Sequence, residues 1–202
     1  MKITDNLLSE TQYYKEKQAK KQIVLHHTAG GSNAVNVIHG WNLDARRVGT
    51  AFVIDGVGNI FKAFEPEYWA YHLGLKTASN VALNKASIGI EVCNWGQLLF
   101  KDGKYYNYVN KEVPENEVVK ITKFRGFEYY HKYNDAHLNS LGSLTNMLCE
   151  KFNISNAYNA DMWDISVNAM GGENGIYTHV SYRTDKNDMS PQPNLINLLK
   201  TL

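Results

Sequence analysis

Three side chains far apart in the chain, His26, His179 and Asp188, are of the types that hold a metal ion. The stretch Ile23-Val24-Leu25-His26-His27-Thr28-Ala29-Gly30 reads as an apolar strand that delivers imidazoles at its end. Near the C-terminus, Thr178-His179 is followed by Lys186-Asn187-Asp188. Two histidines and one carboxylate suit a catalytic zinc whose fourth position is left to water, whereas a structural zinc closes that position and usually uses thiolates. Successive strand residues face opposite sides, so only one of His26 and His27 can reach a common site. Taken singly, each piece has a plainer reading: an HH pair that caps a strand, and a polar turn over Ser181-Tyr182-Arg183-Thr184-Asp185 with incidental charges.

Other residues could serve the same chemistry. Glu91 ends an otherwise apolar strand, where a carboxylate is costly unless it has a partner or a task. Beside a metal it could take a proton from water; the alternative is a solvent-exposed strand end. Lys186, two residues before Asp188, could neutralise a developing oxyanion; the alternative is a surface lysine. His72 follows Trp69-Ala70-Tyr71, a mixture of polar and aromatic groups that suits a carbohydrate or peptide groove, or else a half-buried histidine with one backbone partner. His39, His131 and His137 lie on stretches read as helical and are taken as structural or surface residues.

The elements that must position these groups follow from pattern. Val37, Ile38, Trp41 and Leu43 predict a helix over 36–46. Residues 51–54 and 60–64 flank a glycine-rich turn, giving strand, turn and strand. Ser87-Ile88-Gly89-Ile90-Glu91-Val92 is mostly apolar and therefore a central strand. Residues 98–108, broken by Asp102-Gly103, predict a hairpin. Leu138, Leu141, Leu144, Met147 and Leu148 mark an amphipathic helix over 135–152, with Asp135 near its start. Residues 155–175, rich in Asn, Asp and Gly, are expected to form a long loop. The intermixed strands and helices indicate an α/β domain with a central mixed β-sheet flanked by helices.

Bulk properties narrow the classes. The chain has 202 residues, enough for one well-filled domain, and a formal net charge of +1, which argues for neither nucleic acid nor an anionic membrane. No apolar run reaches membrane-spanning length, and residues 1–22 lack the apolar core of a signal peptide. Synthesis in the cytoplasm as a soluble monomer is the expectation. Cys93 and Cys149 lack CxxC spacing and read as two reduced, buried thiols. Residues 1–21 read as a polar, loosely packed arm, residues 22–202 as the domain, with insertions near 97–130 and 155–173.

In combination these blocks resemble the zinc-dependent N-acetylmuramoyl-L-alanine amidases of the amidase-2 family, related to peptidoglycan recognition proteins and phage endolysins. The opening strand around His26, Gly49 to Ile60 as strand-turn-strand, Trp69-Ala70-Tyr71-His72-Leu73-Gly74, Asn84 to Glu91, Tyr133 to Ile154, Gly175 to His179 and Lys186-Asn187-Asp188 match that family's blocks in order. The match spans about residues 22–195. It departs at Asn134 and His137, after His179 (Val180-Ser181), and after Asp188, where Met189-Ser190-Pro191 replaces the usual Pro-Gly.

The resemblance implies one zinc per chain on His26, His179 and Asp188, with Glu91 and Lys186 catalytic. It further implies a groove lined by His72, Trp69, Tyr71 and Asn84. The implied reaction is hydrolysis of the amide between N-acetylmuramic acid and L-alanine in peptidoglycan or muropeptides, with action on the wall after release, as a phage or prophage endolysin. A non-catalytic peptidoglycan-binding module, a cytoplasmic muropeptide-recycling amidase, an exported toxic effector and an added protein-binding role are the competing readings.

Overall fold

Two strands that are buried from end to end form the centre of the molecule, and apolar runs on both explain why. The computed structural model describes residues 1–202. In chain order the elements are β1 (Ile3–Asp5), β2 (Gln22–His27), α1 (Ala34–Asn42), β3 (Phe52–Ile54), β4 (Ile60–Lys62), α2 (Asn80–Ala86), β5 (Ser87–Val92) and β6 (Gln97–Lys101). They continue as β7 (Lys104–Tyr106), β8 (Glu112–Val113), β9 (Val118–Phe124), β10 (Phe127–His131), α3 (Asp135–Phe152), α4 (Val167–Met170), β11 (Gly175–Thr178) and α5 (Pro193–Leu199).

The main sheet has six strands in the order β1-β4-β3-β5-β2-β11, and all its pairings are parallel except β3 with β4. It is the central mixed sheet that the pattern of strands and helices predicts. In register, His26 lies beside Glu91, Val24 beside Gly89 and Gln22 beside Ser87, so these six share one face. Ile23, Leu25, Ile88, Ile90 and Val92 point to the other face, into the large core with Leu138, Leu141, Leu144 and Leu148 of α3. A smaller apolar cluster of Val24, Leu73, Leu83, Tyr177 and Tyr182 lies on the His26 side.

Residues 1–21 are not a loose arm. β1 joins the sheet edge beside β4, and Leu8 and Tyr13 enter the core. Lys20 Nζ donates to the carbonyls of Tyr68 (2.8 Å), Lys85 (2.8 Å) and Ser87 (3.0 Å), one acceptor for each of its three protons. Two apolar anchors and backbone pairing suffice, and composition reports neither. The helix expected over 36–46 is α1, shorter at its C-terminal end; the Asn33 side chain caps it by accepting from the Asn36 N–H. Beyond Leu43 the chain turns, with Arg46 paired to Asp44. Residues 155–175 carry a 3-10 turn at Ala160–Trp163 and the short α4 rather than forming a bare loop. His131 ends β10 and is not helical.

The stretch expected as an insertion near 97–130 makes a second, antiparallel sheet in the order β8-β7-β6-β10-β9. Its first hairpin turns at Asp102-Gly103, both at positive φ (52° and 76°), as the sequence predicts for a tight turn. Asn94 fastens this sheet to the first: its Nδ2 donates to the carbonyls of His131 and Lys132, and its Oδ1 accepts from the Gly96 N–H.

Candidate active site

The site lies at the carboxyl ends of three adjacent parallel strands, the usual position for ligands in such sheets. β2 ends on His26-His27, β5 carries Glu91 next to its last residue, and β11 runs directly into His179. Asp188 returns to the same place through a loop closed by a hydrogen bond from the Val180 N–H to the Asp188 carbonyl (3.1 Å). The 3-10 turn His179–Ser181 that starts this loop is capped reciprocally by Thr178 and Ser181.

His26, His179 and Asp188 converge. His26 Nδ1 lies 3.1 Å from His179 Nδ1 and 3.2 Å from Asp188 Oδ2, and His179 Nδ1 lies 2.9 Å from the same carboxylate oxygen. All three residues are buried. Burial, reinforced by His179, pushes the His26 imidazole down to about 4. Burial alone would raise Asp188, but with the imidazoles as donors or cations His179 and His26 hold its carboxyl well below the usual range, so the pocket favours the ionised carboxylate opposite positive charge.

These residues fit a zinc ion. His179 Nε2–H donates to the Leu73 carbonyl (2.9 Å), which can only accept, so Nδ1, toward the cluster, is the ring atom left to bind a metal. Metal–ligand bonds of about 2.0–2.1 Å in a tetrahedron separate ligand atoms by roughly 3.3–3.4 Å, close to the spacings here. A donor set of two imidazoles and one carboxylate, with no thiolate, suits an open catalytic site rather than a closed structural one. Both cysteines are free and buried elsewhere.

A cavity of about 510 Å³ opens over the cluster, lined among others by Glu91, Lys186, Tyr71, His72, Arg46 and Arg183. Glu91 is buried, and burial raises its carboxyl well above the ordinary range; Asp188 adds to the shift and Lys186 opposes it. His27 points the other way, as alternation demands, and its Nδ1 contacts the Tyr133 hydroxyl at 2.8 Å.

The expected groove residues divide. Tyr71 and His72 line the cavity. Trp69 does not: it is buried, stacked on Tyr14 at 3.9 Å between ring centroids, with its Nε1–H donated to Glu16. Asn84 is fully buried, and its Oδ1 accepts from the N–H groups of His72 (2.8 Å) and Leu73 (3.1 Å), so it shapes the chain beneath the cavity. His72 contacts His26 through Nδ1 (3.0 Å) and Ser87 through Nε2 (2.9 Å), and burial holds it well below the usual histidine range. Arg46 and Arg183 in loops and Gln97 at the start of β6 also lie on the wall; isolated polar residues of this kind carry no sequence pattern.

A family model, Amidase_2, described as N-acetylmuramoyl-L-alanine amidase, matches residues 16–193. No curated protein matches the chain. Among solved structures, PlyL is 15% identical at a TM-score of 0.59, with 99% of this chain and 98% of that one covered. The N-acetylmuramoyl-L-alanine amidase LysC from Clostridium intestinale URNW is 15% identical at 0.54, covering 100% and 96%. The hydrolase AmiA of Staphylococcus aureus, solved with its ligand, is 13% identical at 0.53, covering 99% and 82%. At such identities the likeness is one of fold.

Proposed function

The chain belongs to the Amidase_2 family of N-acetylmuramoyl-L-alanine amidases, and from that premise we propose a zinc-dependent amidase that separates N-acetylmuramic acid from L-alanine in peptidoglycan. The observation that carries the reading is the convergence of two imidazole nitrogens and an ionised carboxylate beneath a cavity whose wall also holds Glu91 and Lys186. His26, His179 and Asp188 would hold the ion. When bound, zinc supplies Lewis acidity to the amide carbonyl and lowers the pKa of water to about 7.

The chain's own groups do the rest. Glu91, whose carboxyl burial raises, is suited to take the proton of the attacking water and to return it to the leaving amine, because a raised carboxyl is a stronger base than a free one. Lys186, on the cavity wall, offers a cation to the oxygen on which negative charge develops. Tyr71 and the half-buried His72 bound the cavity.

The biological setting belongs to the same proposal: an endolysin-type enzyme, made in the cytoplasm and acting as a monomer on the wall after release. Likeness of fold over nearly the whole length of a mutant endolysin from Bacillus subtilis and of the endolysine LysCS from Clostridium intestinale URNW supports it. Digestion of purified peptidoglycan tests the chemistry. New L-alanine amino termini should appear, with no gain in reducing sugar ends, and metal analysis should find about one zinc per chain. Reducing ends without free alanine amine would overturn the bond assignment. Substrate binding with no cleavage by the zinc-loaded protein would make the chain a recognition module. Release of alanine from soluble muropeptides but not from intact sacculi would favour a recycling role.

A further inference from the structure

The face of β5 that looks into the site alternates Ser87, Gly89 and Glu91, and His72 lies across it. Ser87 Oγ is 2.7 Å from the Leu83 carbonyl oxygen. A carbonyl only accepts, so that contact uses the one proton of the hydroxyl. Toward His72, then, Ser87 accepts, and the proton of the neutral imidazole sits on His72 Nε2, 2.9 Å away. His72 Nδ1 is therefore a lone pair. The 3.0 Å contact between it and His26 Nε2 requires a proton, which His26 must provide. His26 Nδ1 is left with its lone pair, and this is the atom that faces His179 Nδ1 and Asp188 Oδ2.

We propose that His72 is a positioning residue: with the Ser87 hydroxyl and the Leu83 carbonyl behind it, it fixes His26 as the Nε2–H tautomer and so presents Nδ1 to the metal. The inference rests on the zinc reading above. His72 still lines the cavity, but both its ring nitrogens are committed to protein partners, and Ser87, which carried no assignment from sequence, gains a task.

Two features show that the arrangement is built. Asn84 Oδ1 binds the backbone N–H groups of both His72 and Leu73, and the Leu73 carbonyl takes the Nε2–H of His179. One corner of chain thus orients both ligand histidines, through a ring on one side and a carbonyl on the other. Gly89 makes room for the ring, since a Cβ there would lie 3.2 Å from His72 Cγ and 2.7 Å from Thr50 Cγ2. Partners that hold the outer nitrogen of a ligand imidazole are worth about 10- to 100-fold in metal affinity.

The test uses the metal-free protein labelled with 15N-histidine, where nitrogen shifts distinguish the tautomers, and zinc titration of the same samples. The parent should show His26 protonated on Nε2 alone. His72→Leu removes the acceptor, and Ser87→Ala frees His72 to turn its own proton toward His26; both should give mixed His26 tautomers and zinc affinity lower by about 10- to 100-fold. His72→Asn, whose Oδ1 stands where Nδ1 stood, should restore the parent tautomer and most of the affinity. Unchanged tautomer and affinity in His72→Leu, or equal losses in His72→Leu and His72→Asn with the fold intact, would overturn the proposal. A parent that holds His26 as the Nε2–H tautomer, with variants that shift it as described but no zinc bound by any of them, would sink the metal reading and leave the positioning role of His72 standing.

Discussion

His26 and His27 are neighbours on one strand, yet they belong to two different environments. Both are buried, at 3% and 5% exposure, and burial pushes both imidazoles down to about 4. Neither burial nor acidity distinguishes them. Their partners do. His27 faces the large core and meets a hydroxyl, Tyr133, which also accepts from the Ser190 N–H (3.2 Å); that is a closed, structural network. His26 Nδ1 faces His179 Nδ1 and Asp188 Oδ2; with both rings protonated on Nε2 these are three acceptors, which a proton or a metal ion at their centre would satisfy. What matters for function at a buried histidine is whether the surrounding donors and acceptors balance.

The largest effect should come from separating the two. His26→Ala is expected to abolish zinc binding and activity together. His27→Ala should keep the metal and lose stability by about 1–3 kcal/mol, the scale for stranding a buried hydrogen-bond partner. Zinc content and denaturant unfolding of both variants check this. A His27→Ala protein that folds but has lost its zinc would erase the contrast between the two faces.

The next effect concerns Glu91, the carboxyl on the His26 side whose charge burial disfavours. Glu91→Gln should retain zinc and lose turnover by ~100-fold or more. Its stability should move the other way. A carboxyl whose folded pKa is raised contributes fully below its unfolded pKa and loses stability as pH rises through the folded value. Glu91→Gln should therefore melt higher than the parent at neutral pH, with the gap closing in acid. The rate itself should fall as pH drops through the Glu91 pKa, before zinc is released, since His26 resists protonation down to about 4. Turnover and bound zinc that decline with one midpoint would remove Glu91 from its role as base.

Much of this was legible before the structure. Strand alternation alone separates His26 from His27, and the apolar run around Glu91 marks a central strand that delivers a carboxylate where one is costly. Period-two spacing also sets Ser87, Gly89 and Glu91 on one face, although that signal went unused. The burial of Trp69 was not legible, because it depends on a stack with Tyr14 from a segment that composition describes as a polar arm. Nor was the work of Asn84, whose type suits a groove as well as a backbone brace; only the chain path around His72 and Leu73 decides between them. The second sheet was visible only as its first hairpin: β7–β8 and β9–β10 are further local pairings in a stretch without clean alternation, and β6 meets β10 across a long connection that local pattern does not report.

The smallest expected effect is none at all. Cys93 and Cys149 sit in the core on the His27 side, and burial pushes their thiols up to about 12 and about 11. At pH 8 a thiol at about 12 is ionised in about one molecule in 10,000, and only the thiolate reacts. Iodoacetamide at that pH should leave the native protein unlabelled and its activity unchanged, while both cysteines react once the protein is unfolded in denaturant. Native labelling at the rate of a free thiol would mean that the core face opens as readily as the cavity, and the two environments of this strand would then differ in chemistry but not in access.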